Sequence, residues 1–240
     1  MKVAMIGTGY VGLVSGACFS EFGHDVICVD KDADKIARLL DGVMPIFEPG
    51  LDNLVARNVE AGRLRFTTDL KTAVADIDAV FIAVGTPSRR GAGDADLSYV
   101  YGAAEEVANA VSGYTVVVTK STVPVGTGAE VKRILARTNP TAEFDVVSNP
   151  EFLREGSAIE DFMRPDRVVI GCEDVRVLEI IRELYAPFLL TGKPFLAMSI
   201  RSARSRIAAI PTIGGLICPS WSAITISIAY ATNISPTTRL

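Results

Sequence analysis

Positive charge is in short supply: 24 Lys and Arg face 28 Asp and Glu, giving a net charge of −4 and a pI near 5.2. The cations are scattered, so no basic surface is available for nucleic acid, and nucleic acid is not an expected partner. Cysteine is equally uninformative as a framework. The four residues, Cys18, Cys28, Cys172 and Cys218, match neither a disulfide pattern nor a zinc site. The first three read as reduced core residues, because a free thiol packs as a small hydrophobe. The N-terminal MKVAMIGTGYVG lacks the apolar run and small-residue cleavage site of a secretory signal, since glycines interrupt it at once. A cytoplasmic location is therefore expected. A last deficit is local: residues 204–240 contain three Arg and no Asp, Glu or Lys, so all 28 acidic residues lie earlier.

What the chain has is apolar content, 49% of its residues, sufficient for a core. Apolar, β-rich runs at 2–6, 25–30, 63–69, 79–84, 114–119 and 144–148 alternate with amphipathic segments at 32–40, 50–61, 98–111 and 127–137. This alternation predicts a Rossmann-like α/β fold, a doubly wound parallel sheet with helices on both faces. Strands that are apolar almost throughout fit a sheet covered on both sides. A seventh candidate strand, 167–172, precedes a helical run from Val175 to Tyr185 that ends before Pro187.

Gly7, Gly9 and Gly12 form a GxGxxG motif directly after the first strand, opening a helix through Leu13 to Phe22, and Asp30 ends the second strand 18 residues later. Each part has a physical task. Gly7 permits the tight turn, Gly9 lets backbone approach a pyrophosphate, and Gly12 lets the helix pack close to the strand. With Tyr10 and Val11 between the glycines, the helix start offers free N–H groups and a partial positive charge to phosphates. Asp30 can accept from both ribose hydroxyls and repels a 2′-phosphate, which favours NAD over NADP as cofactor. Lys35 reaches back to the same ribose or pyrophosphate, or is a solvated helix charge. The sole histidine, His24, is expected in a turn beside the adenine end, away from any reacting group. Acid–base chemistry by histidine is then not expected.

In a doubly wound sheet ligands bind beyond the carboxyl ends of the strands. There the loops read Val84-Gly85-Thr86-Pro87, then Lys120-Ser121-Thr122-Val123-Pro124-Val125-Gly126, then Ser148-Asn149-Pro150-Glu151-Phe152-Leu153-Arg154-Glu155-Gly156. Each pairs a hydroxyl or carboxylate with a proline or glycine that restricts the backbone.

In order, GTGYVG, IFEPGL, VGTP, KSTVPVGT, SNPEFLREGSAI and PDRVVIG resemble the nucleotide-sugar 6-dehydrogenases of the UDP-glucose/GDP-mannose dehydrogenase family over residues 1–203. Glu155-Gly156-Ser157, where GDP-mannose enzymes tend to carry Glu-Ser-Thr, tilts the resemblance toward UDP-glucose. It implies oxidation of the sugar C6 alcohol to a carboxylate with two NAD, through a cysteine-bound thiohemiacetal and thioester, aided by a Lys, an Asn and an Asp. It also implies roles by position: Thr122 near nicotinamide and water, Glu151 in acid–base work, and Glu155 lining cofactor and substrate. Gly85, Thr86, Pro87 and Ser121 would border the cofactor, and Phe152, Leu153 and Arg154 the sugar nucleotide. Glu151 and Glu155 are also spaced as one face of a helix would be.

The resemblance stops after Ile200-Arg201-Ser202-Ala203. Arg204 stands where a Glu is implied, Ile207 where the catalytic Lys belongs and Pro211 where the Asn belongs. Proline inside a helix costs about 3 kcal/mol, so the family's central helix, which forms much of its homodimer interface, is compromised too. Gly214-Gly215-Leu216-Ile217-Cys218-Pro219 only faintly mimics the cysteine motif. The expectation is a domain at 1–203 holding NAD and the substrate-contacting loops, followed by an aberrant apolar tail at 204–240 from a shifted reading frame. A membrane anchor is the competing reading of the uncharged residues 207–230, and the prolines and glycines within them oppose it. Such a chain binds NAD without turnover, as a truncated UDP-glucose dehydrogenase or as a non-catalytic NAD-binding module.

Overall fold

A computed structural model describes residues 1–87, 95–121, 123–124 and 126–198. Thr122 and the whole of 204–240, including Arg204, Ile207, Pro211 and Cys218, lie outside the described residues. In chain order the elements are β1 (Lys2–Ile6), α1 (Tyr10–Glu21), β2 (Asp25–Val29), α2 (Ala33–Leu40), α3 (Leu51–Glu60), β3 (Leu64–Thr67), α4 (Leu70–Ala73), β4 (Ala79–Ile82) and α5 (Ser98–Ala110). There follow β5 (Thr115–Thr119), α6 (Thr127–Thr138), β6 (Phe144–Ser148), α7 (Ala158–Met163), β7 (Val168–Gly171), α8 (Val175–Leu184), α9 (Ala186–Leu189) and β8 (Phe195–Met198).

The strands form one sheet in the order β3-β2-β1-β4-β5-β6-β7-β8. Successive residues of each strand feed opposite faces, as the pleat requires. Val3 and Met5 join a core with Leu13, Phe19 and Ile181, whereas Ala4 and Ile6 join one with Val100, Val107 and Leu135. Residues of β4, β5 and β7 are buried throughout, which is why these strands read as continuous apolar runs. The helices have local causes. Asp32, Asp69 and Asp174 accept from the backbone N–H of Lys35, Thr72 and Arg176, capping α2, α4 and α8. In α8, Val177, Ile181 and Leu184 make one buried face. Helix α1 is different: Gly12 through Ser20 are all buried, so it is packed on every side.

Two features depart from the expected sheet. Strand β7 runs antiparallel to β6 and meets it through one partner pair, Ser148 and Gly171. The link between them holds only the short α7, and it stays at the carboxyl end of β6 instead of crossing back as a parallel connection must. Residues 149–167 therefore remain at the carboxyl end of β6. Strand β8, parallel to β7, was not legible: Phe-Leu-Ala-Met has no β-branched residue and is only partly buried. Among the described residues no helix is long and apolar enough to cross a membrane.

His24 is also displaced from its expected place. It precedes β2, whose first residue pairs with Lys2, so it sits at the amino ends of the strands, across the sheet from the cleft. Its Nε2 lies 2.9 Å from the Leu184 carbonyl, an acceptor, which assigns the proton to Nε2. Burial, more than the Met1 ammonium, lowers its pKa, against the pull of the carbonyl and Glu183. A lowered histidine pKa stabilises the fold above the unfolded value of about 6.5 and is lost as pH falls through the native value. Urea midpoints should therefore decline as pH falls from about 7 through the histidine range. In His24→Asn that decline should be absent; parallel curves for the two proteins would refute the assignment.

Candidate dinucleotide and substrate site

The glycines of the first turn are required by distance. Gly7 has φ +103°, and a Cβ there would lie 2.8 Å from the Ala83 carbonyl oxygen. A Cβ on Gly12 would lie 1.9 Å from the Gly7 carbonyl oxygen, so the helix sits directly on the turn. Nothing lies within 4 Å of the corresponding position on Gly9, which leaves the helix start open. Gly9 provides no side-chain cap to α1, so the first N–H groups are left to solvent or a ligand.

The open space is a cavity of about 870 Å³ at the carboxyl ends of β1 and β4, where the strand order reverses. Gly7, Gly9, Asp30, Lys35 and Gly85 line it, as does α5 through Tyr99, Gly102 and Glu106. The α5 contribution had no sequence signal beyond an amphipathic pattern. Asp30 does more than border the cavity. Its Oδ2 accepts from the Thr8 N–H at 2.9 Å, the Thr8 hydroxyl at 2.7 Å and Lys35 Nζ at 2.8 Å, and its Oδ1 from the Asp32 N–H at 3.1 Å. Burial opposes the charge, but the bonds from Lys35, Thr8 and Asp32 outweigh it and hold the pKa at about 2. Lys35 thus spends its charge on Asp30 at the cavity wall.

The loops after β4 and β5 are tied together. The Ser121 hydroxyl donates to the Val84 carbonyl at 2.7 Å, and Pro87 accepts from the Asp96 N–H at 2.8 Å beside Thr86. What buried Ser121 presents to the cleft is the shape of the loop more than its hydroxyl. Next to it Lys120, 3% exposed, turns inward. Its Nζ lies 3.2 Å from Asn149 Oδ1, 3.4 Å from the Tyr185 hydroxyl and 5.3 Å from the Phe162 ring centroid. Burial pushes this ammonium down to about 8 while Glu151 pulls the other way. Tyr185 donates to Asn149 at 2.7 Å, and Asn149 donates to the Val169 carbonyl at 3.1 Å.

Residues 151–154 are not helical, so Glu151 and Glu155 do not share a helical face. Glu151 Oε2 accepts from the Leu153 N–H at 2.6 Å and borders a small cavity of about 40 Å³ with Lys120, Asn149 and Tyr185. Arg154 is fixed by Asp161, which accepts from its backbone at 2.9 Å and from its guanidinium at 2.7 and 3.0 Å. Phe152 is 40% exposed, Leu153 packs on the core, and Glu155 projects from the turn before Gly156, which has φ +84°.

One residue of this wall carried no assignment from sequence. Glu48, 6% exposed, accepts from the Tyr10 hydroxyl, from the Gly156 N–H at 2.8 Å and from the Ala158 N–H at 2.8 Å. Burial opposes its charge, but these donors hold its pKa below the usual carboxylate range. Burial and the Glu48 contact push the Tyr10 phenol up to about 12. Tyr10 also lies 3.0 Å from the Gly156 N–H and 3.3 Å from the Arg154 carbonyl. The signal for Glu48 was the IFEPGL motif, a lone acid among apolar and turn residues.

Residues 1–189 match the UDP-glucose/GDP-mannose dehydrogenase family, NAD binding domain. UDP-glucose 6-dehydrogenase of Rhizobium meliloti is 65% identical over 205 residues, covering 85% of this chain and 47% of that protein. UDP-glucose 6-dehydrogenase TuaD of Bacillus subtilis is 53% identical over 188 residues, covering 78% of this chain and 41% of that protein. Among solved structures, a ternary complex of GDP-mannose dehydrogenase from Pseudomonas aeruginosa superposes with a TM-score of 0.79 at 38% identity, over 83% of this chain and 47% of that one. A UDP-glucose dehydrogenase from Pyrobaculum islandicum gives 0.78 at 43% identity, over 83% and 46%. The chain thus spans about half the length of the relatives it matches. Glycine turn, uncapped helix, charged Asp30 and matched sequence converge: the chain belongs to the UDP-glucose/GDP-mannose dehydrogenase family, through its NAD-binding domain.

Proposed function

We propose that this chain carries the cofactor half of a site that oxidises UDP-glucose at C6 to UDP-glucuronate, within a domain of residues 1–203. The observation carrying this reading is the ionised Asp30 at the rim of a dinucleotide-sized cavity. The residues fit NAD. Gly7 and Gly12 allow the close turn, Gly9 leaves room at the α1 start, and a carboxylate at position 30 suits ribose hydroxyls and repels a 2′-phosphate. When bound, NAD accepts the hydride in each of two oxidations, so that one alcohol, one water and two NAD give a carboxylate, two NADH and three protons.

The chain's own side chains then hold and protonate. Glu151 has Oε2 on the Leu153 N–H, and its Oε1 is the oxygen we assign to proton transfer with a substrate hydroxyl or water. Lys120, still charged at neutral pH, holds the Asn149 amide and so the start of the loop that presents Glu151. Thr122 and Glu155 keep the cofactor-side roles that the resemblance implies. The UDP-glucose branch is favoured over the GDP-mannose branch by Gly156, whose φ of +84° is unfavourable for the serine that the other branch tends to carry.

Residues 204–240 support a narrower reading of the 240-residue chain by itself. They place Ile207 and Pro211 at the implied Lys and Asn positions, and the chain is proposed to bind NAD without sustained turnover. Homodimerisation is what the resemblance implies for the family, through a central helix that residues 204–240 do not match.

Two measurements test these readings. Calorimetric titration should show NAD binding at least roughly tenfold more tightly than NADP, because like charges at contact repel by a few kcal/mol. Asp30→Ala should narrow that gap and weaken NAD as well, since Thr8 and Lys35 lose their anchor. Equal affinity of the unaltered chain for both dinucleotides would overturn the assignment of Asp30. In a steady-state assay with UDP-glucose and NAD the chain alone should form no NADH beyond background. Sustained NADH formation would refute the narrower reading and leave the family reading intact.

A further inference from the structure

The start of α1, beside the NAD cavity, and the loop at 149–159 come from distant parts of the sequence, yet one buried carboxylate touches both. Glu48 does not line the dinucleotide cavity. It reaches Tyr10, the first residue of α1 and the neighbour of Gly9, which lines the cavity, and it reaches the backbone of Gly156 and Ala158 in the loop after β6. Tyr10 closes the triangle, since its hydroxyl also meets the Gly156 N–H at 3.0 Å. A carboxylate this enclosed needs its donors, because an unsatisfied buried charge is far costlier than a satisfied one. The three segments therefore hold their positions together. Displacing the α1 start releases Glu48, and releasing Glu48 frees the turn that carries Glu155.

We propose that Glu48 and Tyr10 are positioning residues that couple NAD binding at the α1 start to ordering of the substrate-side loop at 154–159. The proposal rests on the NAD-binding reading given above. Neither residue performs the oxidation. Their role is to make occupancy of one wall felt at the other, so that the loop bearing Glu155 is set when the dinucleotide is in place. Coupling of this kind is reciprocal: a loop held in place must favour NAD by the same factor.

Amide hydrogen exchange on the full chain, followed residue by residue with and without NAD, tests it together with NAD affinity by calorimetry. In the unaltered protein NAD should slow exchange at Gly156 and Ala158. In Glu48→Gln, an amide N–H faces backbone donors, so exchange there should rise and no longer respond to NAD. NAD affinity should fall roughly tenfold although Glu48 is outside the cavity. Tyr10→Phe keeps the ring and removes the hydroxyl; it should show the same loss of NAD response, and it decides the matter if Glu48→Gln does not fold. Unchanged NAD affinity in a folded Glu48→Gln, or NAD binding that leaves Gly156 and Ala158 exchange untouched, would overturn the coupling alone. Absence of NAD binding by the unaltered chain would overturn the function reading and the coupling with it.

Discussion

The contact of helix α1 with its own turn is the constraint on which the site depends. With only 1.9 Å between a would-be Gly12 Cβ and the Gly7 oxygen, a single added methyl group would drive the helix off the turn. That seating points the uncapped start of α1 at the crevice between β1 and β4. It also buries α1 along its whole middle, so that Phe19 reaches Phe81, Phe162 and Tyr185 at centroid distances of 5.0 to 5.3 Å. Sheet, cofactor crevice and the α7 and α8 side are thereby referred to a single rod.

Around that rod the polar groups follow one rule. Asp30, Glu48 and Lys120 are charged groups drawn inward, and each is met by hydroxyls, amides or backbone groups from other segments. In a medium of low polarisability such groups are tolerable only when nearly all their bonds are made. The loops at the carboxyl ends of the strands are thus fastened by electrostatics where apolar contacts would leave them free.

How much of this was legible depends on range in the chain. The apolar strands, the glycine turn and Asp30 are local patterns, and periodicity with spacing reveals them. Glu48 finds its partners 38 and 108 residues away, and Lys120 lies 29 and 65 residues from Asn149 and Tyr185. No window of sequence displays such pairings. His24 was misplaced for a related reason: a turn next to a nucleotide-binding strand can lie at either end of it, and strand direction puts this one at the far end. The antiparallel β7 and the sparse β8 escaped because strand propensity says nothing about direction and little about four mixed residues.

The reversal of strand direction at β7 bears on how such a fold can be remodelled. Because residues 149–167 leave and rejoin the sheet on the same side, their length and chemistry can change without disturbing the register of β1 through β5. That loop is in effect a cassette mounted on a finished nucleotide-binding frame, and its sequence can be rewritten while the frame stays as it is. The exceptions are the few bolts that pass from cassette to frame, so a redesign that swapped the loop would have to bring a matching pair at positions 10 and 48.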